Sequence, residues 1–130
     1  MRAGALAFLG LVVACGPPLS ETVSAPASDQ VWHLVSLDGE DVTTGLTLRF
    51  LPDGSVSGEG SCNRFSARQT APLPWFELGS ILATKRGCAT LDDEQALFQR
   101  LAEMRFAEIQ GEVLLLSGPR GDMFFRAKPV

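Results

Sequence analysis

Beyond residue 31 the chain falls into short runs of alternating apolar and polar residues, punctuated by turn signals. Leu46, Leu48 and Phe50 share one face of a strand over Leu46 to Leu51, and Thr47 and Arg49 share the other. Pro52-Asp53-Gly54 then turns the chain, with proline and glycine in the positions where a tight turn favours them. Ser55 to Gly60 returns as the partner strand, and Cys62 to Ala67 continues it through an irregular corner. Val31 to Leu37, Trp75 to Leu78 and Ile81 to Thr84 read as further strands. Arg105 to Gln110, Val113 to Ser117 and Asp122 to Ala127 follow, joined by Gly111-Glu112 and Gly118-Pro119-Arg120-Gly121.

One segment has a different period. Leu91, Leu97, Phe98, Leu101 and Met104 recur at helical steps, with Glu94 interrupting the stripe. Thr90 and Asp93 have the spacing of a capping box, and Asp92, Asp93 and Glu94 complement the helix dipole. The pattern predicts an α+β protein, mainly antiparallel β. It would be a curled meander or half-open barrel of 7–8 short strands, with one amphipathic helix over about 91–104. The turns are too short for parallel crossovers.

The N-terminus carries a separate signal. Arg2 precedes an apolar run from Ala5 to Ala14, too short to span a bilayer, which takes about 20 residues. A positive start, a short apolar segment and a small residue before a cut make up a secretory signal. Leu11-Val12-Val13-Ala14-Cys15 resembles a bacterial lipobox, which implies cleavage after residue 14 and lipid attachment at Cys15. Residues 1–14 are thus expected to be a lipoprotein signal peptide. Residues 15–30, with Gly16-Pro17-Pro18 and a Ser/Ala/Pro stretch, are expected to be a flexible tether. A tether of that length averages about 20 Å and would hold the domain close to the membrane but free of it. The folded domain is expected over residues 31–130. Gly16 stands where an aspartate often retains lipoproteins at the inner membrane, so an outer-membrane location facing the periplasm is expected.

Fifteen acidic residues against 11 basic ones give a net charge of -4, and -5 once Arg2 leaves with the signal. That balance argues against a nucleic-acid partner, which needs a basic face. With Cys15 assigned to the lipid, Cys62 and Cys88 remain. In an oxidising compartment an even pair usually closes, so a Cys62–Cys88 disulfide is expected, two buried free thiols being the alternative. His33 is the single histidine and no CxxC pair is present, so zinc-ligand spacing is absent and no metal or cofactor is expected.

A further set of motifs runs through the chain: Trp32, Leu34 and Asp38-Gly39; Phe50 and Asp53-Gly54; and Val56-Ser57-Gly58 leading into Gly60-Ser61-Cys62-Asn63-Arg64-Phe65-Ser66. Thr84 and Cys88, then Glu94, Phe98 and Leu101, then Val113 to Leu116 and Phe124-Phe125 follow. Together these resemble the META domain family over about 31–127. The resemblance implies a small β-rich domain, secreted or lipid-anchored, with no established catalytic activity and an association with envelope stress and drug tolerance.

No catalytic residue is expected: no Gly-x-Ser-x-Gly elbow or phosphate loop occurs, and nothing local builds a triad around His33. Asn63, Arg64, Arg68, Lys85 and Arg86 lie near the expected cystine in sequence. They are a candidate binding surface for an anionic ligand, lipid headgroup or acidic envelope protein, weighed against a local structural role for Asn63 and Arg64. Of Trp75 and Phe76, one is expected in the core and the other is a candidate contact residue. The primary expectation is a non-catalytic, monomeric, lipid-anchored envelope protein that binds or stabilises envelope components. Two alternatives stand beside it. One is a carrier or sensor with an apolar cavity lined by Leu48, Phe50, Leu114 and Phe124. The other is an inhibitor of a periplasmic hydrolase using a loop at Thr70 to Trp75.

Overall fold

A computed structural model describes residues 21–129, together with Gly4 and Gly10. Cys15 and the rest of residues 1–20 lie outside the described residues. The elements in chain order are α1 (Ser24–Ala27), β1 (Gln30–Leu37), β2 (Glu40–Asp41), β3 (Thr47–Phe50), β4 (Ser55–Glu59) and β5 (Arg64–Arg68). Then come β6 (Leu82–Ala83), α2 (Leu91–Ala102), β7 (Phe106–Gln110), β8 (Val113–Gly118) and β9 (Gly121–Pro129). The strands form one antiparallel sheet in the order β6-β5-β4-β3-β1-β9-β8-β7, with β2 beside β1. Neighbours in sequence are mostly neighbours in space, as hairpin turns require. The exception is β1, which takes the chain's last strand on its other edge.

The sheet curls until its ends approach each other. Residues 74–79 lie in the gap. Phe76 N donates to Arg105 O at 2.7 Å and Ala107 N to Pro74 O at 2.9 Å on one side; Gly79 N donates to Arg68 O at 2.9 Å on the other. These are isolated bridges rather than a ladder, so the sheet stays unclosed, a curled meander as the pattern allowed. Trp75 to Leu78, expected as a strand, is this bridging segment.

Alternation sets the two faces. Leu48 and Phe50 of β3, Phe65 and Ala67 of β5, and Met123 and Phe125 of β9 point inward and are buried. Thr47, Arg49, Arg64 and Lys128 face out. Gly58 of β4 lies opposite Phe65, and a methyl there would overlap both the Thr47 carbonyl and the Phe65 ring. The bare backbone lets the ring fold across the sheet and meet Phe98 of α2 edge-on, 4.9 Å between centroids. Leu97, Leu101 and Met104 close the remaining open side of the core.

The packed unit begins earlier than residue 31. Val23 and Ala27 are fully buried, Trp32 Nε1 donates to Ala27 O at 3.1 Å, and Leu73 N donates to Glu21 O at 2.7 Å. The second half of the expected tether is therefore part of the domain. A single valine and two alanines carry too little apolar pattern to signal burial in sequence. The expected capping box also differs. Thr90 precedes α2, but its side chain makes no cap bond.

Candidate functional site

The corner between β4 and β5 concentrates the chemistry of this chain. Gly60 N donates to Asn63 O at 2.8 Å, closing a tight turn over residues 60–63. Glu94, on the first turns of α2, reaches into that turn with its residue only 1% exposed. Its Oε1 accepts from Cys62 N at 2.9 Å and Asn63 N at 2.7 Å, and its Oε2 from Asn63 Nδ2 at 2.7 Å. A methyl on Gly60 would overlap this carboxylate, so the close approach requires glycine. Burial raises the Glu94 pKa, but the Asn63 and Cys62 donors outweigh it and hold the carboxyl below its ordinary value of 4.5. Glu94 is thus an ionised carboxylate held by three N–H groups, with none of the ion pairs among the described residues involving it.

Asn63 continues the network outward. Its Oδ1 accepts from Arg86 N at 2.6 Å and from Thr84 Oγ1 at 2.9 Å, and its Nδ2 also donates to Arg86 O at 3.1 Å. One buried amide therefore pins the loop 84–88 as a neighbouring strand would. The Cys62–Cys88 disulfide fastens the same loop, with Cα atoms 6.0 Å apart. Thr90 Oγ1 donates to Ser61 Oγ at 2.7 Å and lies beside both sulfurs, and the residue's backbone, at φ -104° and ψ 18°, is not in the extended conformation of an N-cap. The structural role for Asn63 is thereby fully occupied: its side chain has no bonding capacity left for a ligand.

The four basic residues near the cystine do not form one cluster. Lys85 and Arg86 sit exposed on the pinned loop, at a hollow of about 450 Å³ shared with Leu91, Gln95 and Phe98. Arg68 turns away and donates from Nη2 to Asp53 O at 3.0 Å. Arg64 faces outward from β5, its Nε 3.4 Å from Glu59 Oε1. There it lines a second hollow of about 650 Å³ with His33 of β1, Arg49 of β3 and Lys128 of β9. Val31, Thr47, Ser57 and Glu59 complete the walls. Partial burial, then the nearby Lys128 ammonium, hold His33 below the ordinary 6.5, so it is neutral at pH 7 while three cations remain. Arg49 and Lys128 were not singled out from sequence, because they lie 79 positions apart and only the β1–β3 and β1–β9 pairings bring them together. Glu94 was read as a break in the helix stripe, although its place three residues from both Leu91 and Leu97 is a core position.

One alternative reading loses its geometric basis. Leu48, Phe50 and Leu114 are packed into the core, while Phe124 points to the opposite face, its ring 5.7 Å beneath the Arg126 guanidinium. Those four side chains cannot line one apolar cavity. The segment 70–75 is held in place at its base, where the fully buried Gln69 accepts from Glu77 N at 2.9 Å and donates to Ala71 O at 3.0 Å. Phe76 is in the core and Trp75 is exposed, as strand alternation predicted.

Solved structures share this architecture at low identity. The NMR structure of a protein from Burkholderia xenovorans superposes with a TM-score of 0.64 at 20% identity, covering 81% of this chain and 86% of that one. The crystal structure of a DUF4847 family protein from Bacteroides vulgatus gives a TM-score of 0.60 at 14% identity, covering 81% and 95%. At these identities the likeness concerns fold alone. No curated protein matches the chain. The family model of the META domain matches residues 25–129, starting within the packed N-terminal turn rather than at residue 31. With the Gly-x-Cys-Asn corner, its cystine and the helix glutamate inside that span, the chain belongs to the META domain family.

Proposed function

We propose that this protein is exported, cleaved before Cys15 and anchored by lipid in the outer membrane facing the periplasm. There it acts as a monomeric, non-catalytic module that binds an anionic envelope component. The observation that carries the binding reading is the hollow on the outer face of the sheet. Four strands bring His33, Arg49, Arg64 and Lys128 around it in a chain whose net charge is -4. Its volume, about 650 Å³, is within the range of small-molecule sites. Strand pairing fixes the backbone positions from which these side chains reach. The exposed Lys85 and Arg86 add a second cationic point on the pinned loop. The non-catalytic reading is supported by how the reactive groups are spent: Glu94 is consumed by the corner, and Thr47 Oγ1, next to His33, accepts from Glu59 N. A role in stress or drug tolerance would follow from occupancy of this site.

The test is titration of the mature protein with alkyl phosphate and alkyl carboxylate probes, followed by backbone amide shifts. Shifts should centre on residues 31–33, 47–49 and 126–128. Binding should tighten as pH falls through the His33 range, because a bound anion favours the imidazolium. Arg49→Glu with Lys128→Glu should abolish it, and Lys85→Glu with Arg86→Glu should only weaken it. Equal binding by the Arg49/Lys128 variant, or no binding of either probe, would defeat the reading.

A further inference from the structure

Most large apolar side chains in the described domain are covered; Leu82 on the short edge strand β6 is exposed singly, and Trp75 and Phe106 are exposed together. Trp75 is 54% exposed and Phe106 46%, and their rings lie against each other with centroids 5.0 Å apart. The pair is rigidly presented. Trp75 and Phe106 form a β-bridge, Trp75 N donates to Pro72 O at 2.8 Å, and Ala107 N donates to Pro74 O at 2.9 Å. Arg105, Glu77 and Glu108 are exposed beside it and keep its margin polar.

The path of the N-terminus gives this pair a direction. Thr22 bridges Pro72, and Glu21 O accepts from Leu73 N, so the chain enters the domain two residues from Trp75. Six peptide steps separate Glu21 from Cys15. Fully extended they reach about 20 Å, and as flexible chain they average about 13 Å. A domain of this size is about 30 Å across. A lipid on Cys15 therefore holds this end of the domain against the bilayer and keeps the opposite end away from it.

We propose that the Trp75–Phe106 pair seats in the headgroup layer of the membrane that carries the lipid anchor. Aromatic rings with a polar margin are the side chains that favour this layer, where the ring bodies leave water while neighbouring charges stay hydrated. The docked pair fixes the domain's orientation and adds a second point of contact to the lipid anchor. The inference rests on lipidation of Cys15.

The chain's two tryptophans make the test direct, because Trp32 is fully buried and supplies a constant background. The lipidated mature protein, with lipid on Cys15 verified by mass, is reconstituted in phosphatidylethanolamine/phosphatidylglycerol vesicles with and without brominated acyl chains. Its emission is compared with that of a Cys15→Ser protein free in solution. Expected are a blue shift, a severalfold fall in quenching by aqueous acrylamide, and quenching by the brominated lipid. Trp75→Phe should remove all three signals, and Phe106→Ser should weaken them while near-ultraviolet circular dichroism shows an intact core. Trp75 as accessible to acrylamide in vesicles as in solution would overturn the inference while leaving the anchor intact. Protection that appears without vesicles and grows with protein concentration would overturn it in favour of a second copy of the chain. Absence of lipid in the mass would overturn the anchor itself.

Discussion

Replacing Glu94 by Gln changes one atom and should cost this domain a large part of its stability. The two backbone donors, Cys62 N and Asn63 N, both point at Oε1, and a glutamine carbonyl can still accept them. The new amide nitrogen then faces Asn63 Nδ2, a donor 2.7 Å from the present oxygen. Asn63 cannot flip to relieve this. Its oxygen is needed by Arg86 N and Thr84 Oγ1, and its nitrogen by Arg86 O. One charge-assisted hydrogen bond is lost, the other two fall to neutral strength, and a buried donor is left unpaired, together about 2–4 kcal/mol. Domains of this size hold about 5–15 kcal/mol in all. The cost has a pH signature. The Glu94 pKa is lowered on folding, so its contribution is fully present above the unfolded value near 4.5 and is lost as pH falls through the folded value. Urea unfolding of both proteins, with the cystine intact, at pH 7 and across acid pH reads the difference. A gap below about 0.5 kcal/mol at pH 7, the range of ordinary surface changes, would refute the reasoning. So would a gap that widens on acidification.

Other perturbations bear on the same architecture. Converting Cys62 and Cys88 to Ala opens a loop with a sequence separation of 26. It should lower urea stability by about 3–4 kcal/mol, while near-ultraviolet circular dichroism stays native because Asn63 still holds the loop. Asn63→Leu should raise amide exchange across residues 84–88 by about tenfold or more with the cystine closed; unchanged exchange would deny Asn63 its role. Gly58→Ala drives a methyl into the Thr47 carbonyl and the Phe65 ring, and should cost about 2–3 kcal/mol, read from the urea midpoint. Anion binding at the outer-face hollow should strengthen as pH falls through the lowered titration range of His33 in the native protein and lose that dependence in His33→Gln.

Much of the fold was legible because its signals are local. Turn residues such as Asp53-Gly54 and Gly111, and alternation in β3, β8 and β9, place strands without knowledge of partners. What escaped depends on contacts distant in sequence. Burial of Val23 and Ala27 depends on distant partners such as Trp32 and strand β3, and no period within SAPA announces it. Thr90 follows a helix-start pattern, yet its backbone departs from N-cap geometry and its hydroxyl donates to Ser61. The candidate site divides in the same way. Cys62, Asn63 and Cys88 stand out in a short motif, whereas Arg49, Arg64 and Lys128 become a group only through the order β5-β4-β3-β1-β9.

Intact mass of the protein extracted from cell membranes tests the central claim most directly. The account predicts a chain starting at Cys15, heavier by a diacylglyceryl and acyl group and lighter by the two hydrogens that the Cys62–Cys88 bridge removes. A chain that retains residues 1–14, carries no lipid and is recovered with both inner thiols free to alkylate under native conditions would contradict it.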